Sequence, residues 1–169
     1  GNAASVLYGD GAIGGAINII TNPDFSKEST NEVLVKTGTF NSREFVWNYF
    51  QKLDKYSLNT YFNHTETDGY RDENEQQQNN IISELIYPGK NGDHFFIISF
   101  NEQIMSTPSD RSQDQLFDDR RGSDTPDDYI NSEGSSFLYG TDYKLNDYMT
   151  FILNSSFRLK DSFSDLQST

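Results

Sequence analysis

The sequence predicts an all-β fold: an antiparallel sheet with one apolar and one polar face, as in the wall of a membrane β-barrel. Three observations predict it. First, from Asn31 onward the apolar residues recur with a period of two in segments separated by breaks. Second, the breaks alternate between short and long. Third, the composition is mixed in an unusual way. Only 34% of the 169 residues are apolar and the net charge is -13, yet aromatics reach 14%, with 13 Phe and 10 Tyr. Disordered chains are aromatic-poor. No apolar run approaches the roughly 18 residues of a membrane helix, whereas barrel strands are half polar by construction.

The elements follow in order. Residues 1–21 are rich in Gly and Ala and carry one charge, Asp10. Ala3 to Tyr8 suits a short helical turn closed by Gly9. Gly11, Gly14 and Gly15 permit tight bends. Ala16 to Thr21 reads as a buried strand, which Asn22-Pro23-Asp24 breaks. Phe25 to Thr30 reads as a polar linker.

Seven strands of roughly nine to twelve residues follow, the length of a tilted membrane strand. Glu32–Thr39 aligns Val33, Val35 and Thr37 against Lys36. Arg43–Lys52 aligns Phe45, Trp47 and Tyr49. Tyr56–Glu66 sets Tyr56, Leu58, Thr60 and Phe62 against Ser57, Asn59, Tyr61 and Asn63. Gln76–Tyr87 sets Ile81, Leu85 and Tyr87 against Asn80 and Glu84, with Ile82 and Ile86 blurring the pattern. His94–Ile104 sets Phe96, Ile98 and Phe100 against Ser99, Asn101 and Gln103. Ser136–Leu145 sets Phe137, Tyr139, Tyr143 and Leu145 against Gly140, Asp142 and Lys144. Tyr148–Leu159 sets Met149, Phe151, Leu153, Phe157 and Leu159 against Thr150, Asn154, Ser156 and Arg158.

The tight turns are Leu53-Asp54-Lys55, Pro88 to Asp93 and Asn146-Asp147. Between them lie Thr67 to Glu75 and the stretch Met105 to Ser135, with the short link Phe40-Asn41-Ser42 as the exception on the long-loop side. A soluble sandwich has no reason to gather its long loops at one end. An outer-membrane barrel does, with short periplasmic turns and long external loops.

Composition excludes several classes. There is no Cys, so no disulfide, thiolate metal site or Cys nucleophile. Two distant histidines, His64 and His94, do not make a zinc cluster. An acidic balance disfavours nucleic acid, whose phosphates need Lys and Arg. The chain starts at Gly1 without an initiator Met or signal sequence, and reads as a piece of something longer.

The run Ala4-Ser5-Val6-Leu7-Tyr8-Gly9-Asp10-Gly11-Ala12-Ile13-Gly14-Gly15-Ala16-Ile17-Asn18-Ile19-Ile20-Thr21 resembles the end of the plug domain of TonB-dependent outer-membrane receptors. The family pattern is a Ser-x-Leu-Tyr-Gly turn, a Gly-Gly step and an Ile-Asn-Ile-Ile-Thr strand leading into the barrel. Leu7, Tyr8, Gly9, Gly11, Gly14, Gly15 and Asn18 carry the match. Asp68-Gly69-Tyr70-Arg71 looks like an early external loop of such receptors. Asp118-Asp119-Arg120-Arg121 followed by Thr125-Pro126-Asp127-Asp128-Tyr129 looks like a later loop in an iron-receptor-like subgroup.

The resemblance implies a barrel of roughly 22 strands filled by a plug. Residues 1–24 would be the C-terminal end of the plug, 25–30 a linker and 31–169 the N-terminal part of the barrel, about seven of its strands. It implies active import of a scarce nutrient, a ferric siderophore first, with energy passed through TonB by a region outside this chain. It implies an outer-membrane location among lipid and lipopolysaccharide. It brings no cofactor, resident metal or catalytic residue.

Each residue group has a plainer reading beside the functional one. The Gly cluster is a plug hinge or simple turn chemistry. Trp47, Tyr49, Tyr56, Tyr87, Tyr143 and Tyr148, read as lying near strand ends, form an interfacial belt or belong to an ordinary sandwich core. Asn59, Asn63, Asn80, Glu84, Asn101, Asp142, Asn154 and Arg158 line a lumen or a solvated face. In the long loop, Asp110, Asp114, Asp118, Asp119, Asp124, Asp127, Asp128 and Glu133 outnumber Arg111, Arg120 and Arg121. Arg120 and Arg121, with Tyr70, Arg71 and Tyr129, suit an anionic aromatic chelate by charge and stacking. A Ca²⁺ site lacks EF-hand spacing, and a solvated acidic loop is the third reading. Asp127-Asp128 and Glu73/Glu75 have no fixed separation for acid–base work. Ser5 and Ser57 have no His partner. A passive pore or adhesin barrel would share the strands but lack the motif. A soluble β-sandwich binding module would show alternation without the loop asymmetry.

Overall fold

A computed structural model describes residues 28–125 and 127–166. The plug-like motif, with Leu7, Tyr8, Gly9, Gly11, Gly14, Gly15 and Asn18, lies outside the described residues, as does the strand expected at 16–21.

Seven strands form one antiparallel sheet in sequence order. They are β1 Thr30–Thr37, β2 Arg43–Leu53, β3 Tyr56–Thr67, β4 Gln76–Gly89, β5 Gly92–Ser106, β6 Tyr129–Asn146 and β7 Met149–Asp165. One short helix, α1 Gln113–Asp118, interrupts the connection between β5 and β6. Every neighbour is joined by a hairpin-like link, so the sheet is a simple meander. Among the described residues its outer strands β1 and β7 each pair on one side only, and the sheet is open.

The register aligns the alternating residues across the sheet. Trp47, Phe62, Ile81 and Phe100 are paired in turn on β2 to β5, and Tyr49, Thr60, Ser83, Ile98, Phe137 and Phe157 on β2 to β7. Paired residues share a face. The apolar residues expected on one face of each strand therefore meet on one face of the sheet. Asn59, Asn63, Asn80, Glu84, Asn101, Asp142, Asn154 and Arg158 share the other.

Large apolar side chains stand open on the sheet. The apolar face is open: Val33 is 61% exposed, Phe100 55% and Phe157 62%. The buried hydrophobics among the described residues, Val46 at 8% and Ile86 at 7%, lie on the polar face. Phe50, Phe95, Ile97 and Leu138 share that face toward the short-turn end. The Phe95 ring lies over Gly140, where an added Cβ would run into it. A glycine is needed there for close packing.

The sheet has two unlike ends. Two-residue turns at 54–55, 90–91 and 147–148 stand at one. The connections 38–42, 68–75 and 107–128 stand at the other. The alternation of short and long is as expected, but the longest connection is shorter than the stretch 105–135. β6 starts at Tyr129, not Ser136, and β7 runs on to Asp165. The added segments, Tyr129 to Ser135 and Lys160 to Asp165, mix polar and small residues on both faces, so periodicity does not reveal them. Pairing does: Ser106 opposes Tyr129, and Tyr129 opposes Asp165. Glu133, expected in the loop, is thereby a strand residue. Tyr56, Tyr87, Tyr143 and Tyr148 gather at the short-turn end, whereas Trp47 and Tyr49 sit mid-strand rather than near its ends. Trp47 Nε1 donates to Asn31 Oδ1 at 2.6 Å, and its ring stacks on Tyr49 at 5.7 Å.

Candidate functional site

The long-loop end is where the sequence places its candidate residues, and there the three loops interlock. The 38–42 link turns through two left-handed residues, Phe40 (φ 55) and Asn41 (φ 53). Gly38 N donates to Ser42 O at 2.9 Å and Ser42 Oγ to Thr39 O at 2.6 Å. The link is tied to the next loop, since Asp68 N donates to Phe40 O at 2.9 Å and Ser42 Oγ meets Thr67 Oγ1 at 2.9 Å. Gly69 (φ 76) starts the 68–75 turn, where a Cβ would strike Asn74.

The 107–128 loop is internally braced. Ser112 caps α1 by a reciprocal box, Gln115 N donating to Ser112 Oγ and Ser112 N to Gln115 Oε1. Arg111, its side chain 8% exposed, donates to Asp124 Oδ1 and to the Asp119 carbonyl, each at 2.9 Å. Asp119 Oδ1 accepts from the backbone N–H groups of Arg121 and Gly122 at 3.1 Å. Asp128 is buried. Several acids of this stretch thus hold the loop in shape, which departs from a simply solvated acidic loop.

The candidates divide into three groups. Tyr70 and Arg121 come together. The Arg121 guanidinium lies 5.6 Å from the Tyr70 ring centre and 6.0 Å from that of Phe40, and the two rings meet edge-on at 5.6 Å. All three side chains are exposed. Asp72 N donates to Arg121 O at 2.8 Å, fixing the cation over the rings. Arg71 is close but serves differently: its Nη2 donates to Ser109 O at 2.6 Å and Gly122 O at 2.9 Å, tying one loop to the next. Arg120 is exposed and touches neither ring. Tyr129 is not in the cluster. It belongs to β6 and its ring packs on Phe163 at 5.9 Å.

Phe40 and Arg111 are the neighbours of the candidate residues that sequence reasoning did not single out. Phe40 stood in a link noted only for its shortness, and nothing local distinguishes Arg111 from its neighbours. The chemistry of the cluster is that of a cation lying over two aromatic faces, a surface for stacking and weak charge contact. His64 Nδ1 meets Asn79 Oδ1 at 2.7 Å and His94 Nδ1 meets the Tyr139 hydroxyl at 3.0 Å, so both histidines have side-chain partners on the sheet. Among the described residues no group of three or more His, Asp and Glu converges to hold a metal ion. No family model, curated protein or solved structure matches this chain.

Proposed function

We propose that the chain is part of the wall of a TonB-dependent outer-membrane receptor that imports a scarce nutrient, a ferric siderophore first. The observation that carries the reading is the open apolar face. An apolar face of Val33, Phe100, Phe157 and their neighbours stands open, while the buried hydrophobics Val46 and Ile86 lie on the amide-rich face. In water such a face is an aggregation hazard. Against acyl chains it is the surface a barrel strand requires, polar inside and apolar outside. The loop asymmetry and the Leu7 to Thr21 motif support the same reading. In it, the two-residue turns face the periplasm, the interlocked loops face outward, and the amide-rich face lines the lumen.

The Phe40–Tyr70–Arg121 cluster would meet the ligand first, with exposed Arg120 adding charge at its margin. Energy would enter through TonB contacts made outside this segment. The test is uptake of radio-iron by cells carrying or lacking the complete receptor, each supplied with a panel of ferric chelates. The expected result is uptake of at least one chelate that requires both the receptor and TonB. Uptake of small solutes at equal rate without TonB would mark a passive pore instead.

A further inference from the structure

Tyr70, Arg71 and Asp72 are consecutive, and each engages the 107–128 loop in a different way. The Tyr70 ring lies beneath the Arg121 guanidinium at 5.6 Å. Asp72 N donates to Arg121 O at 2.8 Å. Between them, Arg71 Nη2 donates to Ser109 O at 2.6 Å and to Gly122 O at 2.9 Å. Those carbonyls belong to opposite limbs of the loop, one before α1 and one after it. A single charged nitrogen thus closes the loop on itself and fixes the residue next to Arg121.

The Arg121 cation does not hold its own place. Its guanidinium joins no ion pair among the described residues. A cation over aromatic faces at an exposed site is a weak contact. It is opposed by the entropy of ordering a long side chain and its loop. The position is therefore set through the backbone, by Asp119 Oδ1 on the N–H side and by Asp72 N and Arg71 on the carbonyl side. Bonds donated by a guanidinium are the stronger kind. Gly122 seats this limb closely, since an added Cβ would run into the Asp119 carboxylate and the Arg111 guanidinium. Arg71 itself is not presented outward: it is half-buried, and its Nε is buried without a partner among the described residues.

We propose that Arg71 is the positioning residue of the Phe40–Tyr70–Arg121 cluster. It holds the Arg121 cation over both rings before any ligand arrives, and it sets affinity for an anionic chelate through Arg121 without touching the chelate. A preassembled site loses less freedom on binding, so releasing the tie weakens capture. The statement about affinity rests on the importer reading, whereas the statement about the ligand-free cluster does not.

The test has two arms. In the first, the complete receptor carries isotope-labelled arginine and is purified in detergent without chelate. The magnetic resonance of the Arg121 methylenes, identified by its loss in Arg121→Gln, should be shifted upfield by the two rings. Arg71→Ala, and Arg71→Met with the bulk of the stem kept, should return that signal to the position of an exposed arginine. A signal that stays in place overturns the inference. In the second arm, cells take up radio-iron supplied as an anionic tris-catecholate. Each Arg71 variant should raise the half-saturating concentration roughly fivefold, as Arg121→Gln does, at unchanged maximal rate and receptor abundance. The Arg71→Ala/Arg121→Gln double variant should show the same roughly fivefold rise, because one residue acts through the other. A product of roughly 25-fold would mean that Arg71 touches the chelate, and would overturn the inference. Unchanged half-saturation in the Arg71 variants overturns it too, as does loss of receptor abundance in both, which would make Arg71 a residue of the fold at large. Wild-type cells that take up no ferric chelate overturn the importer reading alone, and the arginine signal then decides the inference.

Discussion

Replacing Ile98 by Arg separates a lipid-facing sheet from a water-facing one. Ile98 lies on the open apolar face, paired with Ser83 and Phe137, and is 45% exposed. On β5 the apolar band runs through Phe96, Ile98 and Phe100, is interrupted by Glu102 and resumes at Ile104. Were this face wetted, Arg at a half-exposed strand position would change stability by about 0.5 kcal/mol or less. Against lipid, an Arg near the middle of a barrel wall costs about 2–4 kcal/mol. That is a roughly 30- to 900-fold fall in the folded-to-unfolded ratio. The control is Glu133→Arg, nearer the loops on the same face, where a charge already stands and the cost is about 0–1 kcal/mol. The assay is denaturant titration of the receptor in lipid vesicles. A shift under about 0.5 kcal/mol for Ile98→Arg, or equal shifts at both positions, would refute the lipid-facing assignment.

Three further outcomes follow from the loops and the polar face. Arg71→Ala removes both contacts to Ser109 O and Gly122 O. The local loss of about 2–3 kcal/mol should speed amide exchange in residues 107–128 by roughly 30- to 160-fold, and unchanged exchange would deny the strut. Gly140→Ala forces a Cβ into the Phe95 ring. It should cost about 1–3 kcal/mol by denaturant titration, with recovery in the Gly140→Ala/Phe95→Leu pair. Arg121→Gln removes the cation over Phe40 and Tyr70. It should raise the half-saturating chelate concentration roughly fivefold, the equivalent of about 1 kcal/mol, at unchanged receptor abundance.

Strands β2 to β5 were legible because large apolar residues recur on one face of each and most polar ones on the other. Phe45, Trp47 and Tyr49 against Asn48 in β2, and Ile98 and Phe100 against Ser99 and Asn101 in β5, set the faces despite Val46, Phe50, Phe95 and Ile97 on the polar side. The first half of β6 was not legible. Asn131, Glu133 and Ser135 occupy its positions on the apolar face, so no contrast with Ser132 and Gly134 survives. What makes that segment a strand is a long-range ladder to Gln103, Ile104 and Met105, which local patterning does not encode. Of the candidate site, Tyr70 and Arg121 were grouped by residue type and lie together in the structure. Their pairing with Phe40 depends on a left-handed turn at Phe40 and Asn41, and on backbone bonds from Asp68 and Asp72. Arg71 has the residue type of a ligand contact but is spent on two carbonyls, and Tyr129 was drawn off by the early start of β6.

The chain has no cysteine, so single cysteines placed one at a time along β5 report their surroundings without background. Spin labels at positions 95 to 101 of the receptor in lipid vesicles, relaxed in turn by dissolved oxygen and by a water-soluble nickel chelate, test the sheet's orientation most directly. Labels replacing Phe96, Ile98 and Phe100 should favour oxygen, and those replacing Phe95, Ile97, Ser99 and Asn101 should not, giving a period of two. Equal access of the nickel chelate to both sets, or no alternation, would contradict a sheet whose apolar face meets lipid.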